Sequence, residues 1–290
     1  MTSCADVALV TNSEPGLVDK EAPALVEALE TAGMTAAVVA WDADVDWTAY
    51  RLTLLCSTWD YPGRLVEFLE WAREVNQATT LLNPVDLLRW NVHKGYLVEI
   101  ERRGVPTIPT VLIPGESVDV TAQLAECPWE EVVVKPAVGN GGRHVQRGRR
   151  DDRSVREVAL ALAAHGDVIV QAFAPQVSAG ERSLVFFDGA YSHAVRKTPE
   201  PGGYLSQRHH GGTESSHDAD SAELRVALAA LACAPAEPAY ARVDLVDWEG
   251  SPVVMEVELI EPDLFLRGDA ERTARLVRVV TGHLRTAPHR

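Results

Sequence analysis

A lysine beside a glycine-rich loop is the first feature of this sequence that could bind a ligand. Three consecutive valines at 132–134 predict a buried strand, which runs directly into Lys135. The glycine loop, residues 139–142, follows and offers free backbone N–H groups. An ammonium group on one side and amide donors on the other suit a polyphosphate. The spacing fits neither a Walker A loop nor a dinucleotide fingerprint, and a hairpin turn with an exposed lysine is the alternative.

Lysine is rare in this chain. The 27 basic residues include only four lysines, which are Lys20, Lys94, Lys135 and Lys197. Since arginine supplies most of the positive charge, a retained lysine indicates a position that requires a compact ammonium group. Lys20 lies in a charged helix start and is expected to be incidental. The other three lysines are candidate ligands for an anion.

Two acidic strands near the end of the chain form a candidate metal site. The sequence 241–260 predicts a hairpin, and a three-residue loop at 249–251 would place Asp244 opposite Glu256. Glu258 would share the face of Glu256, because side chains alternate along a strand. Three carboxylates repel one another unless a cation lies between them, and Mg²⁺ prefers such hard oxygen ligands. A solvent-facing acidic surface is the alternative, against which the apolar flanks of both strands argue.

The first part of the chain alternates strands with helices. This alternation over residues 7–55 predicts a parallel α/β sheet. Trp59, Asp60 and Tyr61 come directly after its third strand, and ligands of such sheets bind beyond the carboxyl ends of the strands. These three residues are therefore candidates for contact with a substrate. An ordinary loop with a packed tryptophan is the alternative.

Local signals define two further elements. Asp188-Gly189 between two apolar runs predicts a tight β-hairpin. Asp220 and Glu223 resemble a capping box, which predicts a helix that starts there.

A long loop at 202–212, which we call the histidine loop, contains Arg208, His209 and His210. Two adjacent histidines suggest zinc, but no third ligand follows at metal-binding spacing. The loop is long enough to close over a pocket. Arg208 and His209 are therefore candidate substrate residues, with Arg208 binding a carboxylate through two parallel hydrogen bonds and Asp60 binding an α-ammonium group.

Composition limits the kinds of partner. The chain has 290 residues, a net charge of −15 and 46% apolar residues, and its pI is about 5.0. Such acidity argues against nucleic acid or an anionic membrane as the partner. The four cysteines are far apart, no signal peptide is recognised and no apolar run reaches about 18 residues, so we expect a cytoplasmic protein with reduced thiols. Homodimerisation is left open.

The order of these motifs resembles the ATP-grasp superfamily, in its glutathione-synthetase-like branch. Lys94, Lys135 with its loop, the strand 171–173, Glu181 and the acidic hairpin follow one another as they do there. The resemblance covers roughly residues 5–285. It implies an α/β and α+β chain with the ATP-grasp fold. The implied domains are an N-terminal parallel α/β domain (1–104) and two α+β subdomains that clasp the nucleotide (105–174 and 175–290).

The same resemblance implies ATP and Mg²⁺ as cofactors. The implied nucleotide ligands are Lys94, Lys135, Gly141 and Gly142 at the phosphates, Gln171, Ala172 and Phe173 near the adenine, and Glu181 at the ribose. The implied metal ligands are Asp244, Glu256 and Glu258. Many relatives have asparagine at the position of Glu258, so the number of bound metal ions stays open.

Within the superfamily, the segments 57–61 and 255–262 are most similar to the O-ureido-D-serine cyclo-ligases of D-cycloserine biosynthesis. This resemblance implies a small amino-acid-derived substrate whose carboxylate is activated as an acyl phosphate and attacked by a nitrogen of the same molecule. Lys197, Arg208 and Arg242 would stabilise the oxyanion that forms. An intermolecular carboxylate–amine ligase is one alternative. A non-catalytic ATP-binding module is another alternative. Such a module would not need the acidic cluster, which is intact in this sequence.

Overall fold

A parallel four-stranded sheet opens the fold, as the strand–helix alternation predicted. The computed structural model describes residues 5–14, 19, 21–115 and 119–286, so Cys4 and Lys20 lie outside the described residues. The strands lie in the order β2-β1-β3-β4. Their bounds are β1 Val7–Thr11, β2 Ala36–Ala40, β3 Leu52–Ser57 and β4 Thr80–Leu82. The segment 59–61 follows β3 directly and therefore lies at the carboxyl edge of this sheet.

The second sheet is antiparallel and carries the glycine loop. Its strands lie in the order β5-β8-β6-β7. Their bounds are β5 Thr110–Ile113, β6 Glu131–Pro136, β7 Gln146–Arg149 and β8 Val168–Ala172. Because β6 pairs with β7, the glycine loop belongs to a hairpin connection. The predicted alternative was right about the hairpin, but Lys135 at its base is buried and not exposed.

The third sheet is antiparallel and contains the acidic hairpin. Its strands lie in the order β11-β10-β9-β12-β13. Their bounds are β9 Glu181–Phe187, β10 Ala190–Thr198, β11 Thr213–His217, β12 Tyr240–Trp248 and β13 Ser251–Glu258. Asp188 and Gly189 both have positive φ, 44° and 70°, and form the predicted tight turn between β9 and β10.

The acidic hairpin has the predicted register through a different turn. Trp248 pairs with Ser251, so the loop has two residues and not the three that the sequence predicted. A bulge between Leu245 and Asp244 shifts the pairing by one residue, which places Asp244 opposite Glu256. The prediction of this pair is confirmed, whereas the predicted loop length is wrong.

Helices pack on the sheets, and the last helix contacts strands of both the first and the third sheet. Their bounds are α1 Ala22–Thr31, α2 Leu65–Ala78, α3 Val85–Asn91, α4 Tyr96–Arg102, α5 Val120–Glu126, α6 Arg153–Ala163, α7 Ser221–Leu231 and α8 Ala270–Thr286. Leu276 and Val280 of α8 share one apolar core with Leu9 of the first sheet and Tyr240 of the third. The first and third sheets are thus packed on a common core, and the domain boundaries at 104 and 174 stay predictions.

The predicted capping box of α7 is present, with Asp220 and Glu223 each bonding to the other's backbone. Within the described ranges, the chain has no helix of the length and apolarity that a membrane crossing requires.

Candidate active site

A cavity brings together the two lysines, the glycine loop and the acidic strand. Its walls come from β6, β13, the glycine loop and the segments that follow β3 and α3. The lining residues are Tyr61, Asn91, Lys94, Lys135, Pro136, Gly139, Asn140, Gly141, Gly142, Arg143, Gln207, Glu256, Val257, Glu258 and Glu261. Six of the predicted nucleotide and metal ligands therefore line this cavity, and Tyr61 reaches it from the first sheet.

The two lysines at this cavity have different surroundings. Nζ of Lys94 forms an ion pair with Oε1 of Glu256 at 3.0 Å and donates to the carbonyl oxygen of Gly139. Lys135 is only 8% exposed. In the described part of the chain, its ammonium group has no ion pair within 4.0 Å and no hydrogen bond. Burial lowers the pKa of Lys135, an effect that nearby Glu256 opposes. Lys135 is therefore a buried cation that faces the cavity without a partner.

Two carboxylates of β13, Glu256 and Glu258, line the cavity in different electrostatic surroundings. Burial favours the neutral form of Glu256, but Lys94 and Lys135 outweigh it and hold the pKa of Glu256 below its usual range. Burial raises the pKa of Glu258 to about 8, although Arg242 opposes this shift. The negative charge of Asp244 adds to the rise. Two neighbouring carboxylates on one strand thus have pKa values shifted in opposite directions, an arrangement frequent at functional sites.

Asp244 is the centre of a buried ionic network. It is 2% exposed and accepts hydrogen bonds from Ser183 at 2.6 Å, Lys197 at 3.0 Å and Arg242 at 2.9 Å. Burial alone would raise the pKa of Asp244, but Arg242 and Lys197 hold it well below its usual range. Arg242 also donates to Glu258. The predicted oxyanion donors Lys197 and Arg242 therefore lie beside the predicted metal ligands.

The chemistry of this donor set fits Mg²⁺ only in part. Glu256 and Glu258 present hard oxygen atoms to the cavity. Both carboxylate oxygens of Asp244 already accept hydrogen bonds from cations. Across residues 5–14, 19, 21–115 and 119–286, no three side chains of the metal-binding types are gathered around one point. Asp244 could join the metal only if Arg242 or Lys197 turned towards a ligand.

The predicted adenine and ribose residues lie outside the cavity lining. Gln171 is buried and donates to Oγ1 of Thr110 at 3.0 Å. The backbone N–H of Phe173 donates to Glu131, and the guanidinium of Arg147 lies 3.5 Å from the centre of the Phe173 ring. The N–H of Ala172 likewise donates to Pro109. These positions stay predictions.

Glu181, the predicted ribose ligand, joins the buried network. It pairs with Lys197 at 2.5 Å and accepts from Ser206 at 3.2 Å. Burial raises the pKa of Glu181, and Lys197 opposes the shift. Its role towards the ribose stays a prediction.

The segment after β3 reaches the glycine loop, but its acidic residue faces elsewhere. Nδ2 of Asn140 donates to the carbonyl oxygen of Trp59 at 3.0 Å. Asp60 instead accepts from Nε1 of Trp41 at 2.8 Å and lies 4.0 Å from Arg64. The structure therefore places Tyr61 at the cavity and the Asp60 carboxylate behind it, against Trp41.

The histidine loop covers the glycine loop from the other side. Nε2 of His209 lies 3.0 Å from the carbonyl oxygen of Gly141, and Gln207 lines the cavity. Arg208 is exposed and makes two parallel hydrogen bonds to Glu214. The bidentate geometry predicted for Arg208 is thus present, but its partner is a carboxylate of the protein. Binding a substrate carboxylate would require Arg208 to leave Glu214.

Comparisons with known proteins agree with this architecture. Residues 7–83 match the family model for the N-terminal domain of D-cycloserine synthetase DcsG, and residues 105–234 match that for the ATP-grasp domain of prokaryotic glutathione synthetase. The cycloserine biosynthesis protein DcsG of Streptomyces lavendulae is 36% identical over 96% of this chain and 99% of its own length. The chain belongs to the DcsG family.

Solved structures extend the comparison to the whole fold. The crystal structure of D-cycloserine synthetase DcsG superposes with a TM-score of 0.85 at 35% identity and covers 96% of this chain and 99% of that one. A D-alanine–D-alanine ligase from Bacillus anthracis, solved as a complex with ATP, gives a TM-score of 0.69 at 14% identity, with 97% and 98% of the chains covered. The protein has the ATP-grasp fold, as the order of its motifs predicted.

Sequence reasoning missed several residues at the centre of the cavity. Asn91 and Asn140 line it, and Glu261 is a buried carboxylate there. Asn91 uses its side chain to fix β13, donating to the carbonyl of Val257 at 2.8 Å. Glu261 stands three residues after Glu258, beyond the strand, so the alternation of side chains along β13 gave no signal for its position. The available signal was the presence of a glutamate directly before Pro262.

Proposed function

We propose that the protein is an ATP-dependent cyclo-ligase that converts O-ureido-D-serine to D-cycloserine. ATP and Mg²⁺ are the cofactors, and ADP and phosphate are products. Membership of the DcsG family supports the reaction class. The observation that carries the proposal is the surroundings of Lys135. Its buried ammonium group has no ion pair in the described part of the chain and faces the same cavity as Lys94 and the glycine loop. A polyphosphate would supply the missing negative charge.

The first chemical step activates the substrate carboxylate. A carboxylate is a poor electrophile, and transfer of the γ-phosphoryl group converts it to an acyl phosphate with a good leaving group. Lys94 and Lys135, which both line the cavity, are the proposed phosphate ligands. Mg²⁺, when bound, would neutralise charge on the phosphate oxygens, and Glu256 and Glu258 are the carboxylates that would hold it, with Asp244 as the third proposed ligand.

Ring closure follows by attack of the ureido nitrogen that is bonded to oxygen. This nitrogen forms the new C–N bond, loses its proton, and phosphate leaves with the former carboxylate oxygen. The ureido carbon and second nitrogen depart as carbon dioxide and ammonia, with one water consumed overall. The tetrahedral oxyanion requires cationic donors, and Lys197 and Arg242 lie together beside β13. Arg208 is the third donor proposed, released from Glu214.

The remaining nucleotide and substrate assignments are proposals of the same kind. Phe173 with Ala172 and Gln171 would meet the adenine, and Glu181 the ribose. Tyr61 and Trp59 would form one side of the substrate pocket, and His209 would close over it. Asp60 is the sequence-based candidate for binding the α-ammonium group of the substrate. We further propose that the enzyme acts in the cytoplasm and binds neither nucleic acid nor membrane, with a homodimer as the candidate assembly.

Product analysis with single and paired substrates tests this function. Purified protein is incubated with MgATP and O-ureido-D-serine alone, and D-cycloserine, ADP and phosphate are quantified. Equal amounts of the three products are expected. If ADP appears only when a second amine is added, the protein is an intermolecular ligase. Absence of ADP with either set, in protein whose melting temperature rises with MgATP, would identify an ATP-binding module instead.

A further inference from the structure

Glu261 is a carboxylate at the cavity that the steps above do not use. It is 8% exposed and lines the cavity together with Lys94 and Lys135. Its Oε1 accepts one hydrogen bond, from Nδ2 of Asn140 at 2.9 Å. Within the described ranges of the chain, no lysine, arginine or histidine nitrogen lies within 4.0 Å of this carboxylate. Glu261 is therefore a buried anion at a ligand cavity without an ion-pair partner.

The other carboxylates of this wall are already compensated. Glu256 is paired with Lys94 at 3.0 Å, and Glu258 accepts from Arg242. Among the buried cations of the described ranges, Lys135 alone has no ion pair within 4.0 Å. The cavity thus presents one buried ammonium group and one buried carboxylate that have no ion pair within 4.0 Å among the described residues. A complementary ligand assembly carries negative charge at Lys135 and positive charge at Glu261.

Glu261 also lies where three parts of the chain meet. Asn140 of the glycine loop joins it to the carbonyl oxygen of Trp59, and Nε1 of Trp59 donates to the carbonyl oxygen of Glu261 at 3.4 Å. Its neighbours thus belong to the glycine loop on one side and to the segment 59–61 on the other. A group bound there lies between the phosphates and the first sheet.

We propose that Glu261 binds the α-ammonium group of the amino-acid substrate, and that Asn140 and Trp59 fix its position. This inference rests on the proposed function, in which phosphates occupy the Lys135 side of the cavity. Burial raises the pKa of Glu261 to about 7, and the hydrogen bond from Asn140 and the charges of Lys94 and Arg242 oppose this shift only in part. A bound ammonium group would supply a positive charge in direct contact with the carboxylate.

Asp60 is the rival for this role, and its surroundings differ in two respects. Its carboxylate accepts from Trp41 at 2.8 Å and lies 4.0 Å from Arg64, so a cation is already near it. It does not belong to the cavity lining, whereas its neighbour Tyr61 does. Asp60 thus orders the segment after β3, and Glu261 faces the ligand.

Removal of charge from Glu261, compared with removal of the amine from the ligand, tests the assignment. The variant Glu261→Gln keeps the shape of the side chain and an oxygen that can accept from Asn140. KM and kcat are measured for O-ureido-D-serine, and Ki is measured for its des-amino analogue as a competitive inhibitor. We expect kcat/KM to fall roughly ten- to a hundredfold, chiefly through KM, because a charge-assisted contact is lost. The Ki of the analogue should change less than threefold, since it has no ammonium group.

Four results of these measurements would overturn the inference and leave the proposed function intact. Equal weakening of substrate and analogue would show that Glu261 does not recognise the amine. A fall in kcat at unchanged KM would make it a proton acceptor. A weaker MgATP affinity in Glu261→Gln would show that it acts through the glycine loop. The matched variant Asp60→Asn should keep the preference for the amine, and selective loss of that preference in Asp60→Asn alone would return the role to Asp60. If the wild-type protein does not turn over O-ureido-D-serine, the proposed function fails and the inference fails with it.

Discussion

Replacement of Asp244 by asparagine removes the charge at the centre of the buried network. The carboxylate accepts from Ser183, Lys197 and Arg242, and its side chain is almost fully buried. Asparagine is nearly isosteric, but it leaves two buried cations with one fewer counter-charge. Removal of one partner from a buried ion pair costs about 3–5 kcal/mol in the free energy of unfolding. At roughly 2–4 °C per kcal/mol, the melting temperature should fall by at least about 6 °C.

The pH dependence of this difference has a defined sign. The pKa of Asp244 is held below its usual range in the folded protein. Its contribution to stability is therefore present above the unfolded pKa of roughly 4 and is lost as the pH falls through the folded pKa. The gap in melting temperature between wild type and Asp244→Asn should be full at pH 7 and should narrow below about pH 4.

Thermal melts of nucleotide-free protein provide the measurement, with Asp151→Asn as the matched control. Asp151 is exposed and pairs with Arg149 at the surface at 3.3 Å, so its variant should melt within about 2 °C of wild type. An Asp244→Asn protein that melts as close to wild type as the control does would refute the ionic network as a source of stability. A gap that stays constant down to pH 3 would refute the assigned pKa shift.

Three further predictions concern other residues of the protein. Lys135→Met removes a buried cation that has no ion pair in the described ranges. The MgATP Kd should rise roughly tenfold or more, while the melting temperature falls by no more than about 2 °C. A large loss of stability would contradict the unpaired state of Lys135. Burial raises the pKa of Glu21 to about 7, so stability should decline as pH rises from about 4.5 to 7, and Glu21→Gln should flatten this decline in melts at pH 5 and pH 8. His209→Ala removes the contact with Gly141 and should raise the KM for ATP roughly two- to tenfold; an unchanged KM would show that this contact does not order the glycine loop.

The sequence predicted the elements whose signals are local. Asp188-Gly189 defines a turn by its backbone preference, and the valines before Lys135 define a buried strand. The pairing of Asp244 with Glu256 was also predictable, although a bulge and a shorter turn compensate each other to produce it. Strand β7 was not predicted, because the segment 146–149 is polar throughout and carries no apolar alternation.

Side-chain partners that no sequence pattern connects could not be predicted. Glu214 satisfies Arg208 from the next strand, and Trp41 satisfies Asp60 from the loop after β2. Neither pairing leaves a pattern in the sequence, so residue type and position predict substrate contact for both, Asp60 after a strand and Arg208 on a long loop. The surroundings of Glu261 have the same origin, since its burial and its lack of an ion pair within the described residues depend on how the strands, the glycine loop and the first sheet meet.

Transfer of oxygen from the substrate to phosphate tests the central claim most directly. O-ureido-D-serine labelled with ¹⁸O in both carboxylate oxygens is turned over with unlabelled MgATP, and inorganic phosphate is analysed by mass spectrometry. An acyl phosphate intermediate predicts one ¹⁸O atom in each phosphate released and one retained in the ring carbonyl of D-cycloserine. Phosphate without ¹⁸O, formed in step with D-cycloserine, would contradict the account, because the carboxylate would then never have been phosphorylated.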